Sequence, residues 1–282
     1  MRYRDWIAAA AIAMLPGSFA TAANAQNPQK YPAWEGDWGR GSPVGSWDPT
    51  KPPGLAQDAP LTPEYRAVYE ANLAKAKAGI DYDPKATCGP PGMPRIMAMY
   101  EPMEIVIKPD VTYMLMESVN PIRRIYTDGR DWPKDVTPSY VGYSIGQWRD
   151  TTGNGQYDTL EIETRDILKG PRLYDGTGIP LADDNETVVK EKLYLDKANP
   201  GIMHNEITTI DHALTRPWTV SRFYKRDLSP PQEYVCTEDN RWVVIADRVY
   251  MKDTDGYFMP TQKDQPPPDL KYFQKYFKAA GK

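Results

Sequence analysis

Met103 to Glu117 reads MEIVIKPDVTYMLME. Met103, Ile105 and Ile107 alternate with Glu104 and Val106, so one face of an extended chain is apolar. Lys108-Pro109-Asp110 breaks the run, and Thr112, Met114 and Met116 resume the alternation. A period of two bounded by a Pro-Asp turn predicts two antiparallel strands joined by a hairpin. The same rhythm continues outward in PIRRIYTD, YVGYSIGQWRD, YDTLEIETRDI, NEITTIDH, WTVSRFYKRD, EYVCTEDN and RWVVIADRVYM. ETVVKEKLYLD fits either a strand or a helix. With no strand–helix alternation, the expectation is an all-β protein. It is an antiparallel, lipocalin-like barrel of eight to ten strands, closed to leave no bare edge and enclosing room for one small ligand.

Composition agrees with short strands joined by stiff turns: Pro 28, Gly 20, Tyr 19, Trp 8, and 40% hydrophobic residues. Thr62-Pro63-Glu64 predicts a capped N-terminal helix that ends at Gly79. Residues 26–60 show no period and form an extended Trp/Pro/Gly lead-in, with Trp34, Trp38 and Trp47 expected to plug grooves on the domain. The tail predicts a short C-terminal helix with Leu270, Phe273 and Phe277 in a stripe. Residues 61–282 then make a single barrel domain with peripheral helices.

The first 25 residues have the form of a secretory signal. Arg2 and Arg4 precede an apolar run from Trp6 to Leu15, and Ala23-Asn24-Ala25 offers a cleavage site. That run is too short to span a bilayer, so export is expected, most simply to a bacterial periplasm. The formal charge is -4 and becomes more negative once Arg2, Arg4 and Asp5 leave. An acidic chain without a basic run disfavours nucleic acid as a partner. Cys88 and Cys236 are the only cysteines, and in an exported protein they are expected to pair. That bond closes a loop of about 150 residues, worth about 4–5 kcal/mol in a chain-entropy account. Two buried thiols are the alternative.

RRIYTDGRDWP, Arg123 to Pro133, crowds three arginines, a tyrosine and two aspartates around one glycine. In a strand Arg124, Tyr126 and Asp128 share a face, opposite Arg123, Ile125 and Thr127. If the first face points inward, Arg124 and Arg130 serve as ligand clamps with Trp148 as an aromatic wall. Tyr126 and Asp128 are then the proton-transfer candidates. A hydrogen-bonded hairpin corner explains the same residues. DTTGNGQYDTLE places Asp150, Thr152, Asn154, Asp158 and Glu161 at the ligand spacing of a calcium loop, so calcium is a candidate structural ion. A hairpin closed at Asn154-Gly155 is the alternative. No other cofactor is implied. The two histidines, His204 and His212, are candidates for single proton shuttles; eight strand positions, about 26 Å, keep them from sharing a metal.

The segments CGPPGMPR, RRIYTDGR, GYSIGQW, DTLEIET and EYVCTEDN, spread over roughly residues 60–250, resemble a widespread family of uncharacterised secreted proteins of proteobacteria. The resemblance implies export and β structure and no particular activity. The chain departs from it at Asp131-Trp132-Pro133, in the longer loop RDTTGNGQYD, and at Asp211-His212.

Three functions follow as expectations. The first is a secreted barrel binding a small, partly aromatic or apolar molecule. The second is a periplasmic enzyme using the same pocket. The third is an envelope protein whose lead-in and tail bind a protein partner.

Overall fold

The computed structural model describes residues 30–43, 45–80, 83–98, 102–117, 122–229, 235–236, 241–246, 248–253 and 255–268. The signal segment and the C-terminal helix expected around Leu270 to Phe277 lie outside the described residues, as does most of EYVCTEDN.

Nine strands close into a barrel: β1 (Gly36–Arg40), β2 (Met103–Ile107), β3 (Val111–Met116), β4 (Ile122–Tyr126), β5 (Tyr143–Arg149), β6 (Thr159–Arg165), β7 (Val188–Leu195), β8 (Ile202–Ile210) and β9 (Trp218–Arg226). Each neighbours the next in sequence, and β1 pairs antiparallel with β9 to close the ring. The opening stretch forms β2 and β3, registered Ile105 to Met114. ETVVKEKLYLD supplies a strand, β7; its Val189, Glu191 and Leu193 are buried while Lys190 and Lys192 are exposed, a period of two.

Two expectations are corrected. The barrel is not antiparallel throughout, because β4 and β5 run parallel, pairing Ile125 with Ser144 and Tyr126 with Ile145. A closed ring with an odd number of strands cannot alternate direction all the way round, so one such pair is obligatory. Residues 127–142 provide the long return that a parallel pair needs. At that seam a Cβ on Gly146 would stand 2.6 Å from Ile125 Cγ2, so only glycine lets the strands approach. Second, RWVVIADRVYM does not join the barrel. It folds into β10 (Trp242–Ile245) and β11 (Arg248–Lys252), which with β12 (Phe258–Pro260) make a separate antiparallel sheet.

The ninth barrel strand comes from the lead-in. β1 has one inward side chain, Trp38, at 1% exposure. Trp34 and Trp47 are equally buried. The barrel packs its inward faces around Ile105, Met114, Ile125, Leu160, Ile162, Leu193, Met203 and Ile207. The segment Gly92–Met97, with a cis Met93–Pro94 peptide, is buried along its whole length and acts as a plug. Met93 N–H donates to Tyr140 O at 2.8 Å, and the Tyr224 hydroxyl donates to Met97 O at 2.8 Å.

Helix α1 (Pro63–Lys77) lies outside the barrel, with Thr62 Oγ1 accepting from Tyr65 N–H at its start. Its end meets the small sheet, where Val249 N–H donates to Gly79 O at 3.1 Å. Cys88 and Cys236 form a disulfide, Cα atoms 5.7 Å apart, which ties the loop before the plug to the segment before β10.

Candidate functional site

Strand β4 divides RRIYTDGRDWP in two. Arg123 and Ile125 point into the barrel and are fully buried; Arg124 is exposed and its guanidinium lies 6.0 Å from the Tyr113 ring centre. The inward face is therefore opposite to the one that would make Arg124 an internal clamp. Register explains the choice: Ile105 pairs with Met114 and Met114 with Arg123, so the apolar face of β2 leads directly to Arg123.

Inside, Arg123 forms a two-pronged ion pair with Glu191, Nη1 to Oε1 at 3.1 Å and Nη2 to Oε2. Nη2 also donates to Thr164 Oγ1 at 2.9 Å and Nε to Ser144 Oγ at 3.3 Å. Asn205 Nδ2 donates to Glu191 Oε1 at 2.9 Å. Met97 and Met114 sulfurs face the guanidinium. Burial pushes the neighbouring Tyr224 phenol up to about 12. Charges withdrawn this far from water persist only when every lobe is bonded, and this pair is saturated by protein groups. The centre of the barrel is thus occupied by structure.

Outside, Tyr126 and Tyr143 stack at 5.0 Å, Arg130 lies over Tyr126 at 3.8 Å, and Arg165 over Trp132 at 4.2 Å. Arg130 Nε donates to Asp128 Oδ1 at 2.9 Å, and this bond holds Asp128 below the usual carboxylate range. A carboxylate so held is a poor proton acceptor at neutral pH. Tyr126, Asp128 and Arg130 form a bonded corner, but it opens the long return to a parallel strand and is not the expected hairpin.

The calcium-spaced loop is bonded to itself. Asp150 accepts from the backbone N–H of Gly153 (2.7 Å), Asn154 (3.2 Å) and Gly155 (2.7 Å), and from Thr152 Oγ1. These bonds, that from Gly155 foremost, hold its carboxyl below the usual carboxylate range. Asn154 Oδ1 accepts from Gln156 N–H, Asp158 accepts from Thr151, and Glu161 pairs with Arg149. Among the described residues, no three His, Cys, Asp or Glu side chains gather as a metal site.

The histidines stand apart. His204 faces out from β8, stacked on Tyr194 at 5.3 Å with Nε2 3.1 Å from Asp196. His212 is exposed, its Nδ1 2.8 Å from Asp184. Neither reaches Tyr126 or Asp128 through any of these contacts.

The most ligand-like geometry lies at the barrel rim, where the lead-in crosses the β5–β6 hairpin. A cavity of about 730 Å³ opens between Tyr31, Trp34, Tyr157 and Tyr194, with Lys192 and Lys197 on its border. Tyr157 N–H donates to Lys30 O at 2.8 Å, which fastens the lead-in to the hairpin. Trp148 stands behind the walls, 4.9 Å from Trp34, 5.6 Å from Tyr31 and 6.1 Å from Tyr157 between ring centres. The Nε1 groups of Trp34 and Trp148 are buried and meet no acceptor among the described residues. Burial raises the phenols of Tyr31 and Tyr194, so both stay protonated at neutral pH, and the Tyr194 hydroxyl is already donated to Glu206 Oε1 at 2.9 Å. Of the predicted ligand-binding set only Trp148 comes near this site, behind its walls, while Thr152 and Asp158 of the calcium-spaced loop line it. The other lining residues come from segments far apart in the chain; only the unusual density of tryptophan in the lead-in signalled contact there.

Among the described residues no helix is long and apolar enough to cross a membrane. Compared with known proteins, the chain matches no family model and no curated sequence.

Proposed function

We propose that this chain is an exported β-barrel protein that binds a small, partly aromatic molecule in the cavity at the barrel rim. The observation that carries this reading is the convergence of four aromatic walls with two lysines around about 730 Å³. Pockets for small ligands combine apolar and aromatic lining with a few oriented polar groups. The rings supply stacking, the Tyr31 phenol supplies a donor, the Tyr194 hydroxyl being already donated to Glu206, and Lys192 and Lys197 favour an acidic group on the ligand. The filled barrel moves this role from the interior to the rim. Export to a periplasm is supported by the signal-like first 25 residues and by the Cys88–Cys236 bond, which suits an oxidising compartment. The same export fits the secreted proteobacterial family that RIYTDGR and DTLEIET resemble.

The test is a titration of the mature chain with benzoate, 4-hydroxybenzoate and indole-3-acetate, read by tryptophan fluorescence. A saturable change is expected for at least one. Tyr157→Ala and Lys192→Ala should each weaken it by roughly tenfold, the order of one stacking or charge-assisted contact. Unchanged affinity in both variants, or no saturable response, removes the rim site.

A further inference from the structure

An open groove of about 460 Å³ crosses the outer face of strands β5 to β8, with Trp132 at its border. Register sets its floor. Gln147 pairs with Glu161, Glu161 with Lys192 and Lys192 with Glu206, so four outward side chains stand in one row across four strands. Ile145, Glu163, Lys190 and Thr208 make a second row beside it through the same pairings. Alternation along each strand turns the intervening Gly146, Ile162, Glu191 and Ile207 into the barrel. Glu191 borders the groove, but its carboxylate is paired with Arg123 inside and adds no charge to the surface. Three inter-strand gaps of about 4.8 Å give each row a span of roughly 14 Å.

The chemistry of the rows selects the class of ligand. The outward acids already face bases: Arg149 on Glu161 at 2.8 Å, and Arg165 and Lys190 on Glu163 at 2.6 and 3.4 Å. Glu206 accepts from the Tyr194 hydroxyl and stands across from Lys192. Both signs alternate along the rows, so neither an anion nor a cation meets a field of one sign. A molecule dense in neutral hydroxyls, each donor and acceptor at once, finds a matching group at every strand. Among the described residues nothing engages the Gln147 amide, and the Trp132 indole N–H is likewise open. The Trp132 ring is held by Arg165, whose guanidinium lies 4.2 Å from its centre, and by Tyr143 at 6.1 Å. A fixed, half-buried indole is a surface on which the C–H face of a sugar ring stacks with little further ordering. The rows themselves belong to a closed, registered sheet and are in place before a ligand arrives.

We propose that this groove binds a short neutral oligosaccharide, stacked on Trp132 and hydrogen-bonded along the row from Gln147 to Glu206. The ligand class differs from that of the rim cavity. Lys192 borders both sites, so the test leaves it intact.

The experiment is calorimetric titration of the mature chain with maltotriose, cellotriose and the N-acetylglucosamine trimer. Saturable heat is expected with at least one of them. Its affinity should not change with added sodium chloride, because salt screens charges and the ligand carries none. Trp132→Ala should weaken binding by roughly tenfold, the order of one stacking contact. Gln147→Ala, at an exposed position, should weaken it by roughly fivefold, the order of one hydrogen bond. No saturable heat with any of the trisaccharides, an affinity that falls steeply with salt, or wild-type affinity in both variants overturns the proposal. If Trp132→Ala does not fold, Gln147→Ala decides alone.

Discussion

Two arginine–carboxylate pairs come from the same short stretch and have opposite surroundings. Arg123 meets Glu191 with both side chains wholly buried, while Arg130 meets Asp128 with about a third of each exposed. The contacts are chemically alike, and water separates their meaning. Outside, solvent screens the attraction and rehydrates either partner if the other is lost. Inside, loss of one partner strands a charge in the core. The pair in the barrel is therefore a requirement of the fold, and the pair outside is a restraint on one loop.

The largest effect expected from this contrast is Glu191→Ala. It should cost about 3–5 kcal/mol in urea unfolding, because Arg123 is left uncompensated among Met97, Met114 and Ile125. The double change Arg123→Met with Glu191→Leu should recover much of that loss, since the pair is exchanged for apolar volume. A single-variant loss near zero would mean that water reaches the barrel centre, and the comparison would collapse.

Next in size is the disulfide. Cys88→Ser with Cys236→Ser should cost about 2–5 kcal/mol, since the bridge closes a long loop. Its effect should be uneven. Amide exchange should quicken in β10–β12 before it quickens in β1–β9, because the ring is closed by its own strand pairing and the small sheet is fastened by the bridge and the end of α1. Uniform acceleration would make the two sheets one cooperative unit.

These contrasts also show what could be read from residues in a line. Period-two runs marked seven of the nine barrel strands and left β7 open between strand and helix, because each marked strand has several inward side chains between outward ones. β1 escaped because GDWGR has a single inward side chain, Trp38, and one point defines no period. The parallel seam escaped because alternation along a strand says nothing of its neighbour's direction. The face of β4 was available in principle: carrying the apolar side of MEIVI through the β2–β3 and β3–β4 pairings arrives at Arg123. Looking at β4 alone hides this, since Ile125 and Tyr126 make both faces partly apolar. The rim cavity was not available. Tyr31, Tyr157 and Tyr194 lie in three separate segments that only barrel closure brings together.

A smaller effect separates the outer corner from the core. Arg130→Ala should leave the unfolding midpoint nearly unchanged, since an exposed pair contributes little net stability. It should nevertheless raise the pKa of Asp128 toward 3.8, because the Arg130 hydrogen bond is the main cause of its depression. Carbon-detected NMR titration of the Asp128 carboxylate reads this directly. A large loss of stability would place this corner with the core pair.

The smallest effect concerns a charge that switches near neutrality. The hydrogen bond with Asp184 raises His212 above 6.5, and Glu186 lies 3.7 Å from its other nitrogen. A base whose folded value exceeds its unfolded one binds protons more tightly in the native state. Its stabilisation is complete below pH 6.5 and fades as pH rises through the raised value. Asp184→Asn should bring the His212 titration, followed by its ring proton shifts, back toward 6.5. It should also flatten the pH dependence of stability in that window. The same substitution should leave Glu191, Arg123 and the barrel centre untouched, because His212 is exposed and those groups are buried. A shift that survives Asp184→Asn would assign the perturbation to Glu186 and Asp211, the remaining acids that raise it.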